Sequence, residues 1–221
     1  MKSQDVGLLL KLVSLSKQKK LLAKKIPEKA WPHDWQDWEG GVLEISHLQD
    51  GSLLNNEAIR DDYFASRYTA RALEEETGIS KSQINLGLNR CYDVGLIKKD
   101  RGFNVPHVNV DALFAFIVHG LKYVFPAKPR ELTRGIATGF ASPVLDKKLM
   151  SAGEFVLVWP DAHGKTKGQA VEPLFKSATF AVRRDPEMYS LLALIDAIRL
   201  GRPREASFAC EVLAEKLGVE R

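Results

Sequence analysis

The polar side chains between positions 80 and 90 are the part of this sequence best suited to binding chemistry. Ile84, Leu88 and Cys91 recur at spacings of four and three, which predicts a helix with these residues on its buried side. The opposite side is then rich in amide and hydroxyl groups and carries no glutamate. Amides bond to adenine edges and arginine to guanine edges, so this side has the chemistry of a helix that reads the DNA major groove. The candidate recognition residues are Ser80, Lys81, Ser82, Gln83, Asn85, Leu86, Asn89 and Arg90.

A short helix, a sharp turn and a second helix must position these residues. Thr69 is placed to cap the first helix, and Gly78 lies where the chain turns, because glycine reaches a positive φ without steric cost. Ile79 is expected to fill the angle between the two helices. Ser80 then caps the second helix, and Gln83 completes a capping-box pattern with it.

Two short strands follow and form a predicted hairpin, the wing. Residues 96–99 and 105–110 have strand character, and residues 100–104 join them. Basic side chains near the tip are expected to meet DNA phosphates, which carry no sequence information. Leu86 is expected to contact either a thymine methyl group or the wing itself. The candidate wing residues are Lys98, Lys99, Arg101 and Asn104.

This order of elements resembles the winged helix-turn-helix of MarR-like and related bacterial transcriptional regulators. The run Gly-Ile-Ser-Lys-Ser at residues 78–82 and the run Gly-Leu-Ile-Lys-Lys at residues 95–99 carry the resemblance. It implies a winged-helix fold, a second helix in the major groove with its N-terminal residues nearest the bases, and transcriptional regulation. Glu74 departs from the family pattern, which has a small residue where the helices cross.

The chain divides into two predicted regions. Residues 1–126 form a winged-helix DNA-binding region with an atypical insertion at about 17–62, and residues 130–221 form a smaller C-terminal α+β region. Pro126 and Pro129 end the last helix of the first region and mark the boundary. The predicted fold class is α+β and mainly helical.

The C-terminal region contains a strand candidate at residues 155–159 and a strong amphipathic helix. Asp185 caps this helix, Pro186 suits its first turn, and Gly201 ends it. Residues 158–160 and 168–174 resemble the tail of an uncharacterised bacterial winged-helix group, a likeness that brings no mechanism. We expect this region to serve dimerisation or the binding of a protein partner.

The insertion begins with a lysine-rich stretch. Residues 17–29 hold six lysines and one acid, which indicates either a solvated face or a contact with nucleic acid. Trp31, Trp35 and Trp38 follow at helical spacing. They are expected to pack in the core or in a dimer contact, with ligand stacking as the alternative.

Composition places the chain among ordinary globular proteins. The net charge of +4 is compatible with a polyanionic partner but does not demonstrate one. Cys91 and Cys210 are far apart in the sequence, so neither a disulfide framework nor a zinc site is expected. We therefore expect a cytoplasmic location. The longest apolar run is too short to span a membrane.

Enzyme signatures are weak, and we expect neither catalytic activity nor a cofactor. Gly164 and Lys165 end like a phosphate-binding loop, but Trp159 stands where that loop requires glycine. The spacing of Asp161, His163 and Glu172 matches no metal-ligand set, so no metal site is predicted.

Sequence-specific binding of double-stranded DNA is therefore the expected function, as a repressor or autoregulator. One recognition helix reads few base pairs, so we expect a homodimer, with residues 186–200 and either the first helix or residues 111–125 in the contact. The alternative is a protein-interaction adaptor or antitoxin-like partner that uses the winged helix for docking. An enzyme working through the C-terminal region is a more distant third possibility.

Overall fold

The computed structural model describes residues 1–23, 57–99, 105–145 and 156–219. The protein is α+β and mainly helical, as the sequence predicts. Most of the predicted insertion lies outside the described residues. This part includes Trp31, Trp35 and Trp38 and the lysines between positions 24 and 29. The helices are α1 Ser3–Ala23, α2 Glu57–Arg67, α3 Ala70–Thr77, α4 Lys81–Asp93, α5 Val110–His119, α6 Leu121–Val124, α7 Ala178–Val182, α8 Pro186–Leu200 and α9 Pro203–Leu217, and the strands are β1 Ile97–Lys99, β2 Pro106–Val108, β3 Leu132–Thr138, β4 Leu157–Pro160 and β5 Thr166–Ala170.

Helix α1 passes through the interior of the protein. Its residues 5–15 are buried on every side rather than along one stripe, because the helix packs against α4 on one side and α8 on another. It runs to Ala23, so the predicted insertion at 17–62 begins within it. No described helix is long and apolar enough to cross a membrane.

Helix α8 is the second central element. The side chain of Asp185 accepts a hydrogen bond from the Met188 amide at 2.9 Å, and Pro186 lies in the first turn, so the predicted helix start is confirmed. Residues 191–198 are all buried against α1, α9 and β3. The prediction of a homodimer contact through this helix and α1 is therefore wrong, since the two helices cover each other within one chain.

The predicted helix at 111–125 is divided at Gly120 into α5 and α6. Leu113, Ile117 and Leu121 point inward and are fully buried, and α9 packs on α5. Part of the apolar surface of this segment is thus covered by α9 of the same chain. The hydrophobic core continues without interruption from α1 to α9, across the boundary predicted at 126–130.

Three strands of the C-terminal region form a small closed barrel. Strand β3 pairs antiparallel with both β4 and β5, and β4 pairs parallel with β5. A Cβ atom at Gly135 would overlap the carbonyl oxygen of Trp159, so glycine is what allows this close approach. Trp159 is buried on α8, where its indole N–H donates to Asp196 at 2.6 Å.

Candidate nucleic-acid interface

The turn between α3 and α4 has the geometry that its sequence predicts. The Thr69 hydroxyl accepts a hydrogen bond from the Ala72 amide at 3.3 Å and so caps α3. Gly78 adopts φ +67°, and its amide donates to the Glu74 carbonyl at 2.8 Å. Ile79 is buried at 5% exposure between the helices. The cap, the glycine turn and the buried isoleucine are all confirmed.

The capping box predicted for α4 does not form. The side chain of Ser80 caps no amide of the first turn, and its hydroxyl lies 3.3 Å from that of Ser82. Glu74 takes this role instead, because its carboxylate accepts from the Lys81 amide at 3.1 Å. The residue that departs from the family pattern therefore joins the two helices through a hydrogen bond.

Gln83 turns toward α1 rather than back to the start of its own helix. Its Oε1 accepts from the Gln4 side-chain amide at 3.0 Å and from the Lys2 ammonium at 3.4 Å. Lys2 and Gln4 thus lie beside the first turn of α4. Sequence reasoning missed both residues, since they are separated from Gln83 by 81 and 79 positions and no local pattern joins them.

The inward side of α4 agrees with the predicted spacing. Ile84 and Cys91 are fully buried and Leu88 is half-buried. Gly87 is also buried, and a Cβ atom there would lie 2.9 Å from a carboxylate oxygen of Asp5. Burial raises the pKa of the Cys91 thiol to about 12, so this cysteine is no nucleophile at neutral pH.

Arg90 is predicted to face DNA. In the structure its side chain forms an ion pair with Asp5 on α1. Its Nε and Nη2 groups donate to the two carboxylate oxygens of Asp5 at 2.9 and 2.7 Å. Asp5 is 1% exposed, so its negative charge requires a partner, and Arg90 is the neighbouring cation. Burial would raise the pKa of Asp5, but Arg90 and the Lys2 amide outweigh burial and hold that pKa below its usual value.

The outward side of α4 is polar, exposed and free of acidic residues from Lys81 to Arg90. Leu86 is 50% exposed and lies among these polar groups. Asn85 and Asn89 are four residues apart and share one face of the helix. The predicted residues that the structure leaves exposed, here called the outer face, are Ser80, Lys81, Ser82, Asn85, Leu86 and Asn89.

The second strand after α4 is shorter than the sequence predicts. Strands β1 and β2 pair antiparallel, with Ile97 opposite Val108 and both side chains buried. Lys98 and Lys99 are exposed, whereas Arg101 and Asn104 lie outside the described residues. The predicted second strand at 105–110 ends at Val108, because Asn109 caps α5 by accepting from the Ala112 amide.

A buried ion-pair network holds the α3–α4 pair to the rest of the chain. The Lys11 ammonium on α1 donates to the Asp185 carboxylate at 2.7 Å and also contacts Glu76 on α3. Arg67 donates to the same Glu76 carboxylate at 3.0 and 3.1 Å. Sequence reasoning missed this network, because its members come from four separate segments.

The structure also places the acidic residues that the sequence analysis considered as metal ligands, Asp161 and Glu172, in the described part of the chain. No group of three or more histidine, cysteine or acidic residues there is placed to hold a metal ion. Asp161 pairs with Arg183, and Glu172 pairs with Arg130. Comparison with models of known protein families, with curated proteins and with solved structures gives no match to this chain.

Proposed function

We propose that the protein binds double-stranded DNA in a sequence-specific manner through a winged helix at residues 69–110. One observation carries this proposal: the exposed, acid-free outer face of α4 offers amides and hydroxyls, and strand β1, which follows α4 along the chain, carries two exposed lysines. Amide side chains read adenine edges bidentately, and an exposed Leu86 suits a thymine methyl group. The biological role that follows is a transcriptional repressor or autoregulator in the cytoplasm.

The packing of α4 supports this role, because a recognition helix must be held rigidly. Ile84 and Cys91 fix its inner side in the core. The Asp5–Arg90 ion pair and the Gln4–Gln83 hydrogen bond fix its rotation against α1. Side chains on a preorganised helix lose less entropy on binding, so the outer face is suited to tight recognition.

Lys98 and Lys99 supply the general part of the affinity in this proposal. Their side chains are exposed and form no ion pair with any carboxylate in the described part of the chain, so their charges remain available to phosphates. Such contacts strengthen binding to every sequence equally. A homodimer would place two outer faces on adjacent turns of DNA, and a single 24.7 kDa mass in light scattering at micromolar concentration would exclude it.

A salt titration on random duplex DNA tests the proposal directly. DNA binding predicts a steep fall in affinity with salt, because each phosphate contact releases counterions. Selection of bound genomic fragments should then yield a shared site that binds more tightly than random duplex. A protein-interaction adaptor or antitoxin-like partner would show no duplex binding at any salt concentration, and that result would reject the proposal.

A further inference from the structure

The C-terminal region contacts the turn at the start of the recognition helix. A Cβ atom at Gly78 would lie 3.0 Å from Cβ of Ser177 and 3.1 Å from Cδ1 of Phe180. The bare glycine therefore lets the Phe180 ring, on α7, pack onto the turn. Gly78 precedes Ser80, the residue before α4, by two positions, so Phe180 packs against the turn that leads into α4.

The Phe180 ring holds an arginine at the surface. The guanidinium carbon of Arg184 lies 3.6 Å from the ring centroid, and Nη1 donates to the Phe180 carbonyl at 3.3 Å. Phe180 is 38% exposed, and Arg184 is exposed as well. No described carboxylate forms an ion pair with Arg184, so most of its five N–H groups remain open to an outside acceptor.

The neighbouring arginine, Arg183, differs from Arg184 in both exposure and pairing. Arg183 donates to Asp161 at 2.6 Å, and its side chain is only 10% exposed. Arg183 thus satisfies its charge inside the chain, whereas Arg184 is held outward on an aromatic surface. Stacking on a ring keeps a guanidinium ordered while its edges stay available to an anion.

We propose that Phe180 and Arg184 form a phosphate-binding clip that extends the DNA surface onto the C-terminal region. This inference rests on the proposed function. When the N-terminus of a recognition helix enters the major groove, groups packed on the preceding turn lie at the groove edge, where the sugar–phosphate backbone runs. A stacked guanidinium is suited to phosphate, because its fork of N–H groups binds two oxygens at once.

Arg184→Ala tests the clip in a salt titration with random duplex DNA. We expect weaker binding and a slope of log affinity against log salt that is shallower by about 0.9, the value for a single neutralised phosphate. The ratio of affinities for a selected site and random duplex should stay unchanged. Arg204→Ala, at an exposed arginine on α9, is the matched control and should leave the slope as in the unmodified protein.

The possible failures are distinguishable. Absence of duplex binding by the unmodified protein would reject the proposed function and the clip together. Normal binding with an unaltered slope in Arg184→Ala would reject the clip and leave the proposed function intact. Arg184→Lys keeps the charge and should retain a slope close to that of the unmodified protein. If Arg184→Lys lowered the salt slope as much as Arg184→Ala does, that result would contradict a charge-based contact.

Discussion

The centre of the protein and the outer face of α4 both carry polar side chains. Those in the centre are buried and paired, whereas those on the outer face are exposed. Lys11 and Asp185 are each 1% exposed, and each has its partner within the chain. Asn85 and Asn89 are exposed, and no described residue donates to or accepts from their side chains in any hydrogen bond that we observe. The polar side chains at the centre therefore stabilise the fold, whereas Asn85 and Asn89 leave their hydrogen-bonding groups open to solvent.

Disruption of the central network should have the largest effect of any single change. Lys11→Met replaces the lysine by an uncharged side chain of similar length and leaves the Asp185 carboxylate buried without its cation. Breaking a buried pair in this way costs about 3–5 kcal/mol. We expect a decrease of that size in the free energy of unfolding, measured by urea denaturation.

Lys98→Met is the matched control, because Lys98 is exposed, and it should alter the free energy of unfolding by less than about 0.5 kcal/mol. A decrease in Lys11→Met no larger than that of this control would contradict a stabilising role for the network.

The Asp5–Arg90 pair links the centre of the protein to the helix that carries the outer face, since it fixes α4 to α1. Asp5→Asn should lower the free energy of unfolding by about 1.5–3 kcal/mol at neutral pH, the range for hydrogen bonds to charged groups. Because the folded protein holds the pKa of Asp5 below its ordinary value of 3.8, this contribution is present above that value and is lost as the pH falls through the lowered pKa.

The stability difference between the unmodified protein and Asp5→Asn should therefore be constant near neutral pH and shrink in acid. Urea denaturation at a series of pH values measures this difference. Glu215→Gln, at an exposed acid on α9, serves as the control and should show almost no difference at any pH. A difference that grows as the pH falls would contradict the depressed pKa of Asp5.

Changes on the outer face should leave stability almost untouched and alter recognition. Asn85→Ala and Asn89→Ala should each reduce the discrimination between the specific site and random duplex by about 1–3 kcal/mol, the value of a bidentate base contact. Competition binding measures this reduction, and Ser207→Ala on α9 is the control. Unchanged specificity in both asparagine variants would remove the outer face from base recognition.

The smallest effect is expected from the wing lysines. Lys98→Ala and Lys99→Ala should weaken binding to all sequences by similar factors. Each should also make the salt slope shallower by about 0.9 if its lysine neutralises one phosphate. Lys128→Ala, at an exposed lysine distant in sequence, should leave the slope unaltered. If the wing variants behave like this control, the hairpin does not touch DNA.

Much of the α3–α4 pair and the hairpin could be predicted, because the signals are local. The Thr69 cap, the Gly78 turn and the inner face of α4 depend on residues within four positions of one another. Exposure of Asn85 and Asn89 follows from the same periodicity, since the side opposite a buried stripe must face outward. Asp185 and Pro186 likewise predict the start of α8 through neighbouring positions alone.

Local sequence patterns miss the contacts that form where distant segments compete for the same group. Arg90 has the residue type and position of a DNA contact, but Asp5, 85 positions away, binds its guanidinium. The apolar faces of α1 and α8 would suit a dimer, yet they cover each other within one chain. The Ser80–Gln83 capping box is replaced because Glu74 and Gln4 reach the same helix start.

The sequence by itself determined the local elements and the residue types of the outer face. Hydrogen-bonded caps, positive φ at glycine and helical periodicity all act between near neighbours, so they can be read without a fold. Only the tertiary structure decided which polar groups are left for a partner. Burial makes an unpaired charge costly, and the folded chain therefore matches Arg90, Lys11 and Asp185 with partners that only long-range packing brings within reach.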